Sequence, residues 1–341
     1  MKIQVPRGEL LRLGLGVVAL LAGGITLKVL MRTSLSTLQE HTDNPARDYE
    51  EAVERLVQIQ AEEGANPQLN PDCRTALLTH GRKMDQAVVL MHGMTNCPRQ
   101  YAELAPLLYE RGYNVLIPLM PHSGLADRDS DELKHLKAEE LRDCCNTMVD
   151  IARGLGTHVT YAGLSVGGSM AAWVAQNRAD VDRVVIIAPA FTLSSQIGIV
   201  LSRFAMHLLS WLPNLMTQRL FSVEDGPPQN YRGFATRALG QMMRLGFSVF
   251  DAAKTRTPAV PSVVLVTNIV DPAVNNKIAR KLVERWRSYG AARVQTYEFD
   301  AKYKLVHDLI DPFRKEQQTE LVYPILLQLI TPGERIALRP G

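Results

Sequence analysis

The sequence predicts an α/β fold, with a mostly parallel sheet covered by helices on both faces. Two observations predict it. Short apolar, β-rich runs at 87–91, 158–162, 184–187 and 262–267 alternate with longer helical patterns, the rhythm of βαβ units. Near the centre of the chain, Gly163-Leu164-Ser165-Val166-Gly167 joins one of those strands to a helix over 168–175. A strand that turns so sharply into a helix pushes the serine into a strained backbone, and glycines at the flanks let the two elements pass.

The N-terminus is different in kind. Lys2, Arg7 and Arg12 face a single acid, Glu9, and 13–27 is uncharged and apolar apart from Thr26. Lys28 interrupts, and Val29-Leu30-Met31 carries the run to Arg32. With Lys28 snorkelling to the interface, residues 1–32 read as a transmembrane helix that anchors the chain. The rival is a signal peptide cleaved near Ala22 or Gly24. A buried soluble helix fits poorly, because no face is polar. Either export reading keeps the positive flank inside and the rest of the chain outside the cytoplasm: a single-pass membrane protein, or a secreted or periplasmic one.

Residues 33–72 read as a polar linker to Asn44 and then an amphipathic helix over 47–63, with Ala52, Leu56, Ile59 and Ala61 on its apolar side. Asn66-Pro67 and Asn70-Pro71 break it. The main domain is expected over 73–330, with a tail at 331–341. It opens with a strand at 76–80, then the strand at 87–91 and the loop His92-Gly93-Met94-Thr95-Asn96. A helix over 99–111 ends at Gly112, a strand covers 113–118, and a helix over 137–153 ends at Gly154. After the serine helix and the strand at 184–187 the rhythm stops. Residues 191–258 carry apolar helices at 197–212 and 231–250, an insertion expected to form a cap or lid, or else extra core-covering helix. A strand at 262–267 runs into Asn268-Ile269-Val270-Asp271-Pro272. A last strand at 294–299 is followed by a loop with His307 and a C-terminal helix.

Composition narrows the function. Net charge is only +3 in 341 residues, with no basic block, so nucleic acid is not an expected partner. No Cys/His cluster has zinc spacing and no glycine loop has a phosphate or dinucleotide pattern, so neither metal nor cofactor is expected. Cys73 opens the strand that should flank the one leading to Cys97, and a disulfide between them is expected if the domain is exported. Cys144 and Cys145 are adjacent on a helix and are poor partners for one another.

A serine hydroxyl needs a base, the base needs an orienting acid, and the tetrahedral intermediate needs N–H donors. The chain order Ser165, Asp271, His307, with His92-Gly93-Met94-Thr95, Gly163 to Gly168, Val270-Asp271-Pro272 and Val306-His307-Asp308, resembles the α/β-hydrolase superfamily. Within it, the chain resembles small bacterial carboxylesterases and monoglyceride-lipase-like enzymes over about 73–330. It departs at Leu119-Met120-Pro121-His122-Ser123-Gly124, where many relatives read Gly-His-Gly.

The resemblance implies Ser165 as nucleophile, His307 as general base and Asp271 as its orienting acid, with Asp300 and Asp308 competing for the last role. It implies backbone N–H donors at Met94 and Val166, and Gly163 and Gly167 as the flanks of the elbow. His92 is expected to support the oxyanion loop. His122 is a candidate for the pocket border, and the remaining histidines are read as surface or packing residues. The implied function is a serine ester hydrolase acting on a small-molecule or lipid ester with an apolar acyl group. Thioesterase or amidase chemistry with the same triad is the alternative, as is a non-catalytic hydrolase-fold protein binding lipid or a partner.

Overall fold

The computed structural model describes residues 35, 37–192, 199–211, 214–216, 226–290 and 293–331. The expected N-terminal membrane helix and the tail beyond 331 lie outside the described residues, as do 193–198, 212–213 and 217–225 of the insertion. Among the described residues no helix is long and apolar enough to cross a membrane.

Seven strands form one sheet: β1 (Ala76–Leu78), β2 (Met84–Met91), β3 (Tyr113–Ile117), β4 (Gly156–Leu164), β5 (Arg183–Ile187), β6 (Val263–Asn268) and β7 (Val294–Phe299). Their spatial order is β1-β3-β2-β4-β5-β6-β7. Only β1 runs antiparallel, pairing Ala76 with Ile117 at one edge. The central strands are apolar on both faces, as sheets covered on both sides require: Ala87 to Met91 of β2 and all of β6 are buried.

The helices are α1 (Tyr49–Ala65), α2 (Leu104–Tyr109), α3 (Ala138–Leu155), α4 (Val166–Asn177), α5 (Ile199–Trp211), α6 (Thr236–Ala252), α7 (Asn276–Ser288) and α8 (Thr319–Ile330). α3, α4 and α6 pack on one another and form one layer, whereas α2 and α8 touch each other in a second. Every residue of α4 is buried, so the serine helix forms the middle of its layer. At roughly 1.5–3 kcal/mol for each large apolar side chain withdrawn from water, this helix alone contributes much of the local stability.

Three elements differ from the sequence reading. The helix expected over 99–111 is split into a 3-10 turn, Pro98–Tyr101, and the six-residue α2. Both pieces begin around a proline, whose missing N–H suits only a first turn. α7 falls in a stretch given no element from sequence; its many charges hide an apolar face of Ile278, Ala279, Leu282, Val283 and Trp286. Residues 37–46, polar enough to suggest a linker, are fastened to the body. Leu38 is fully buried and its carbonyl accepts from Trp173 Nε1 at 2.7 Å. The Ala46 N–H donates to the Asp150 carbonyl at 2.9 Å, and buried Arg178 bridges Asp150 and Asp180.

The insertion at 191–258 divides. α6 is a core helix, with Met242, Met243, Phe247 and Phe250 buried. α5 lies antiparallel against it, joined by Arg203 to Asp251 at 2.7 Å and by the guanidinium of Arg203 over the Phe247 ring at 4.7 Å.

Candidate active site

Ser165 follows the last residue of β4 and precedes the first of α4. Its backbone has φ 60° and ψ −115°, a conformation costing about 1–3 kcal/mol for a residue with a side chain. The surroundings hold it there. The Ser165 N–H donates to the Ile187 carbonyl at 3.0 Å, and the Ser165 carbonyl accepts from Ser169 and Ala190, each at 3.0 Å. The flanking glycines are needed for space. A Cβ on Gly163 would stand 2.1 Å from the Gly167 carbonyl oxygen, and one on Gly167 would stand 2.2 Å from that of Met91. The elbow is therefore a three-way close approach of β2, β4 and α4.

The loop after β2 lies against the serine: an ideal Cβ on Gly93 would be 3.6 Å from Ser165 Cβ. His92 is fully buried and braces this loop. Its Nδ1–H donates to the Gly93 carbonyl at 2.7 Å, and its Nε2 accepts from the Met120 N–H at 3.0 Å. Burial pulls its pKa down to about 4, only partly opposed by the Gly93 bond, so the ring stays neutral and structural. The Gly93 N–H is taken by Gln100 Oε1 at 3.0 Å. The first N–H groups of a helix have no partner within it, which leaves the Val166 N–H at the start of α4 beside the serine.

His307 lies in the loop between β7 and α8. Its Nδ1 is 2.8 Å from Oδ2 of Asp271, whose side chain is buried just beyond the end of β6. The other carboxylate oxygen accepts from the Ala273 N–H at 2.9 Å, which fixes the rotamer. Burial lowers the affinity of His307 for a proton, but the hydrogen bond and charge of Asp271, with Asp308 behind, outweigh it, and the pKa is raised. The two competing acids are engaged elsewhere: Asp300 caps the Lys302 N–H at 2.8 Å, and Asp308 pairs with Arg314.

Ser165, Val166, Met94 and His307 line one cleft of about 430 Å³. Its walls are largely apolar, with Phe234, Leu239 and Met242 before and along α6, and Ala273 and Val274 after Asp271. Asp308 and Arg314 form its charged corner. His122 is not among its lining residues. With φ 64°, it sits over a second cleft and is held between Glu132 at 2.8 Å and Glu140 at 3.2 Å. The described side chains of α5 do not line this cleft either; Phe204 is 61% exposed.

Sequence reasoning missed Asn96 and Asp311. Asn96 is buried beside the serine, and its Nδ2 donates to Asp311 Oδ2 at 2.7 Å across 215 positions. No local pattern signals such a pair. The expected Cys73–Cys97 disulfide is present, directly after Asn96, with Cα atoms 5.2 Å apart.

The family model described as serine aminopeptidase, S33, matches residues 82–299, more than half of the chain. No curated protein sequence matches it. Among solved structures, one of the metagenome-derived lipolytic enzymes LipS and LipT is similar with a TM-score of 0.56 at 15% identity, covering 77% of this chain and 99% of its own. The monoacylglycerol lipase of Paleococcus ferrophilus gives 0.54 at 18% identity, over 75% and 97%. A soluble variant of the monoglyceride lipase of Saccharomyces cerevisiae gives 0.50 at 13% identity, over 75% and 90%. At these identities the likeness is one of fold.

Proposed function

Because the chain belongs to the serine aminopeptidase, S33 family, and is therefore a serine hydrolase, we propose that it cleaves carboxylic esters with an apolar acyl group. One observation carries the reading: a serine at φ 60° shares an apolar cleft with a histidine held 2.8 Å from a buried aspartate. In this mechanism His307 takes the Ser165 proton as the hydroxyl attacks the carbonyl carbon. The oxyanion is held by the N–H groups of Met94 and Val166, an effect worth roughly 3–4 kcal/mol per donor. His307 then returns the proton to the leaving alcohol. Water, activated by the same ring, releases the acid from the acyl-serine.

The family description raises amide hydrolysis as a second reading. An enzyme that trims peptides from their amino end needs an unpaired acid to hold the substrate ammonium. Among the described residues the only acid lining the cleft is Asp308, which is paired with Arg314. That favours an uncharged ester. The deciding experiment is hydrolysis of p-nitrophenyl esters of graded chain length, an acyl thioester and an aminoacyl p-nitroanilide, with a fluorophosphonate label on Ser165. Turnover of the anilide above that of every ester would overturn the reading.

We also propose that residues 1–32 hold the domain at a membrane, outside the cytoplasm. The basic flank, the apolar run and a buried disulfide support this, since disulfides persist in oxidising compartments. Protease protection in spheroplasts and vesicles tests it, and a domain digested only from the cytoplasmic side would reject it.

A further inference from the structure

The N–H of Met94 belongs to the peptide plane whose carbonyl is that of Gly93, and in a trans peptide the two point in opposite directions. Whatever holds the Gly93 carbonyl therefore aims the Met94 N–H. Two donors hold it: His92 Nδ1 at 2.7 Å and the Asn96 N–H at 3.1 Å. Asn96 is itself locked through its side chain. Its Oδ1 accepts from the Cys97 N–H at 2.9 Å, so its amide nitrogen must face Asp311.

Asp311 is fully buried and lies in the loop that carries His307. Its N–H donates to the Asp308 carbonyl at 3.0 Å, and its Oδ1 accepts from the Phe313 N–H at 2.9 Å. The Asn96–Asp311 bond thus ties the loop holding the base to the loop expected to hold the oxyanion. The carboxyl is kept there at a cost. Burial pushes its pKa up to about 6, with Asp308 adding to the rise; the Phe313 and Asn96 bonds and Arg314 pull the other way.

We propose that Asp311 is a positioning residue which, through Asn96, fixes the Gly93–Met94 peptide so that the Met94 N–H faces the reacting carbonyl. This rests on the serine-hydrolase reading of Ser165. Without Asp311 the Asn96 side chain loses one of its two anchors. The turn from Gly93 to Asn96 then slackens, and the peptide plane is free to rotate. The serine, its base and the acyl pocket stay as they are, so the loss falls on the transition state and not on substrate binding.

The test compares Asp311→Ala, Asp311→Asn, Asn96→Ala and the Asn96→Ala/Asp311→Ala pair with the wild-type protein. The readouts are p-nitrophenyl butyrate kinetics, the rate of fluorophosphonate labelling of Ser165, and thermal melting. Asparagine at 311 keeps the shape but has one carboxamide oxygen for two donors, so Asp311→Asn carries the comparison should the alanine variant fail to fold. Each folded single variant is expected to lose about 10- to 100-fold in kcat with KM within about twofold. The labelling rate should fall in the same proportion, and the pair should lose no more than about twofold beyond the weaker single variant.

A folded Asp311 variant with kcat within about twofold of wild type overturns the proposal. So does a rise in KM at unchanged kcat, or losses that multiply in the pair. If the wild-type protein labels but turns over no ester, the ester reading falls. The labelling rates of the variants then still decide the positioning role.

Discussion

The serine elbow and the helical insertion border the same cleft and are built in opposite ways. At the elbow the Ser165 N–H and carbonyl both have fixed partners, α4 has no exposed residue, and a Cβ on either flanking glycine would meet neighbouring backbone at distances no side chain tolerates. In the insertion, α6 belongs to the core, but α5 rests on it with Phe204 and Leu208 turned to solvent at 61% and 44% exposure. The difference separates chemistry from selection. The elbow keeps a costly conformation in place, as a reacting group requires. In the insertion the fold lays a second helix on the outer side of α6, packed closely against it yet with part of its apolar surface open to solvent.

The comparison predicts a graded set of losses. The largest is at the proposed nucleophile and base: Ser165→Ala and His307→Ala should each lower kcat on the order of 10⁴- to 10⁶-fold without lowering the melting temperature. Ordinary turnover by either folded variant would remove the mechanism. Next comes the aspartate. Asp271→Asn should cost about 10⁴-fold in kcat, because the imidazole loses the partner that sets its tautomer. The pH profile sharpens this. As the proposed base His307 must be neutral to act, and its pKa is raised above the ordinary 6.5, so kcat/KM should fall on acidification with a midpoint above 6.5. A midpoint well below 6.5 contradicts the Asp271 contact. By linkage, the stability that His307 gains from Asp271 is fully present below 6.5 and is lost as pH rises through its folded pKa.

A smaller effect separates the two regions by stability. Gly167→Ala should destabilise the fold by roughly 3 kcal/mol or more, seen as a drop in the denaturation midpoint, since its methyl would meet the Met91 carbonyl. Phe204→Ser should change stability by less than about 0.5 kcal/mol. The smallest expected effects are on selectivity. Leu239→Ser, in the cleft wall, should slow octanoate esters about tenfold more than acetate esters. Phe204→Ser should treat both alike in free solution. Should Phe204→Ser alone impair the long chain, α5 folds over the cleft during turnover and is a true lid.

Much of this was legible in the sequence because it is local or periodic. The central strands are unbroken apolar runs, and the serine motif specifies its own turn. His307 stands out as the one histidine after the last strand. α7 carried a readable signal in its apolar residues at helical spacing, overshadowed by lysines and arginines on the other face. Asn96 and Asp311 had no such signal. Their pairing arises only because the loops after β2 and β7 leave the same carboxyl end of the parallel strands, and neither residue type nor spacing announces it. Residues 37–46 misled for a related reason. Their attachment runs through a main-chain carbonyl and a main-chain N–H, groups that every residue has and that composition cannot reveal.

That attachment decides where the protein can be cut. A truncation chosen from composition would begin at Asn44 or at Cys73 and discard Leu38. It would leave an empty socket where that side chain sat and strip Trp173, on the serine helix, of the acceptor for its indole N–H. An unfilled leucine site costs about 2–5 kcal/mol and a buried donor without a partner about 1–3, together a large share of what holds a domain of this size. A shortened protein that begins no later than Leu35 should keep its melting temperature. One that begins at Asn44 should give a domain whose weakness is felt first at the helix behind Ser165.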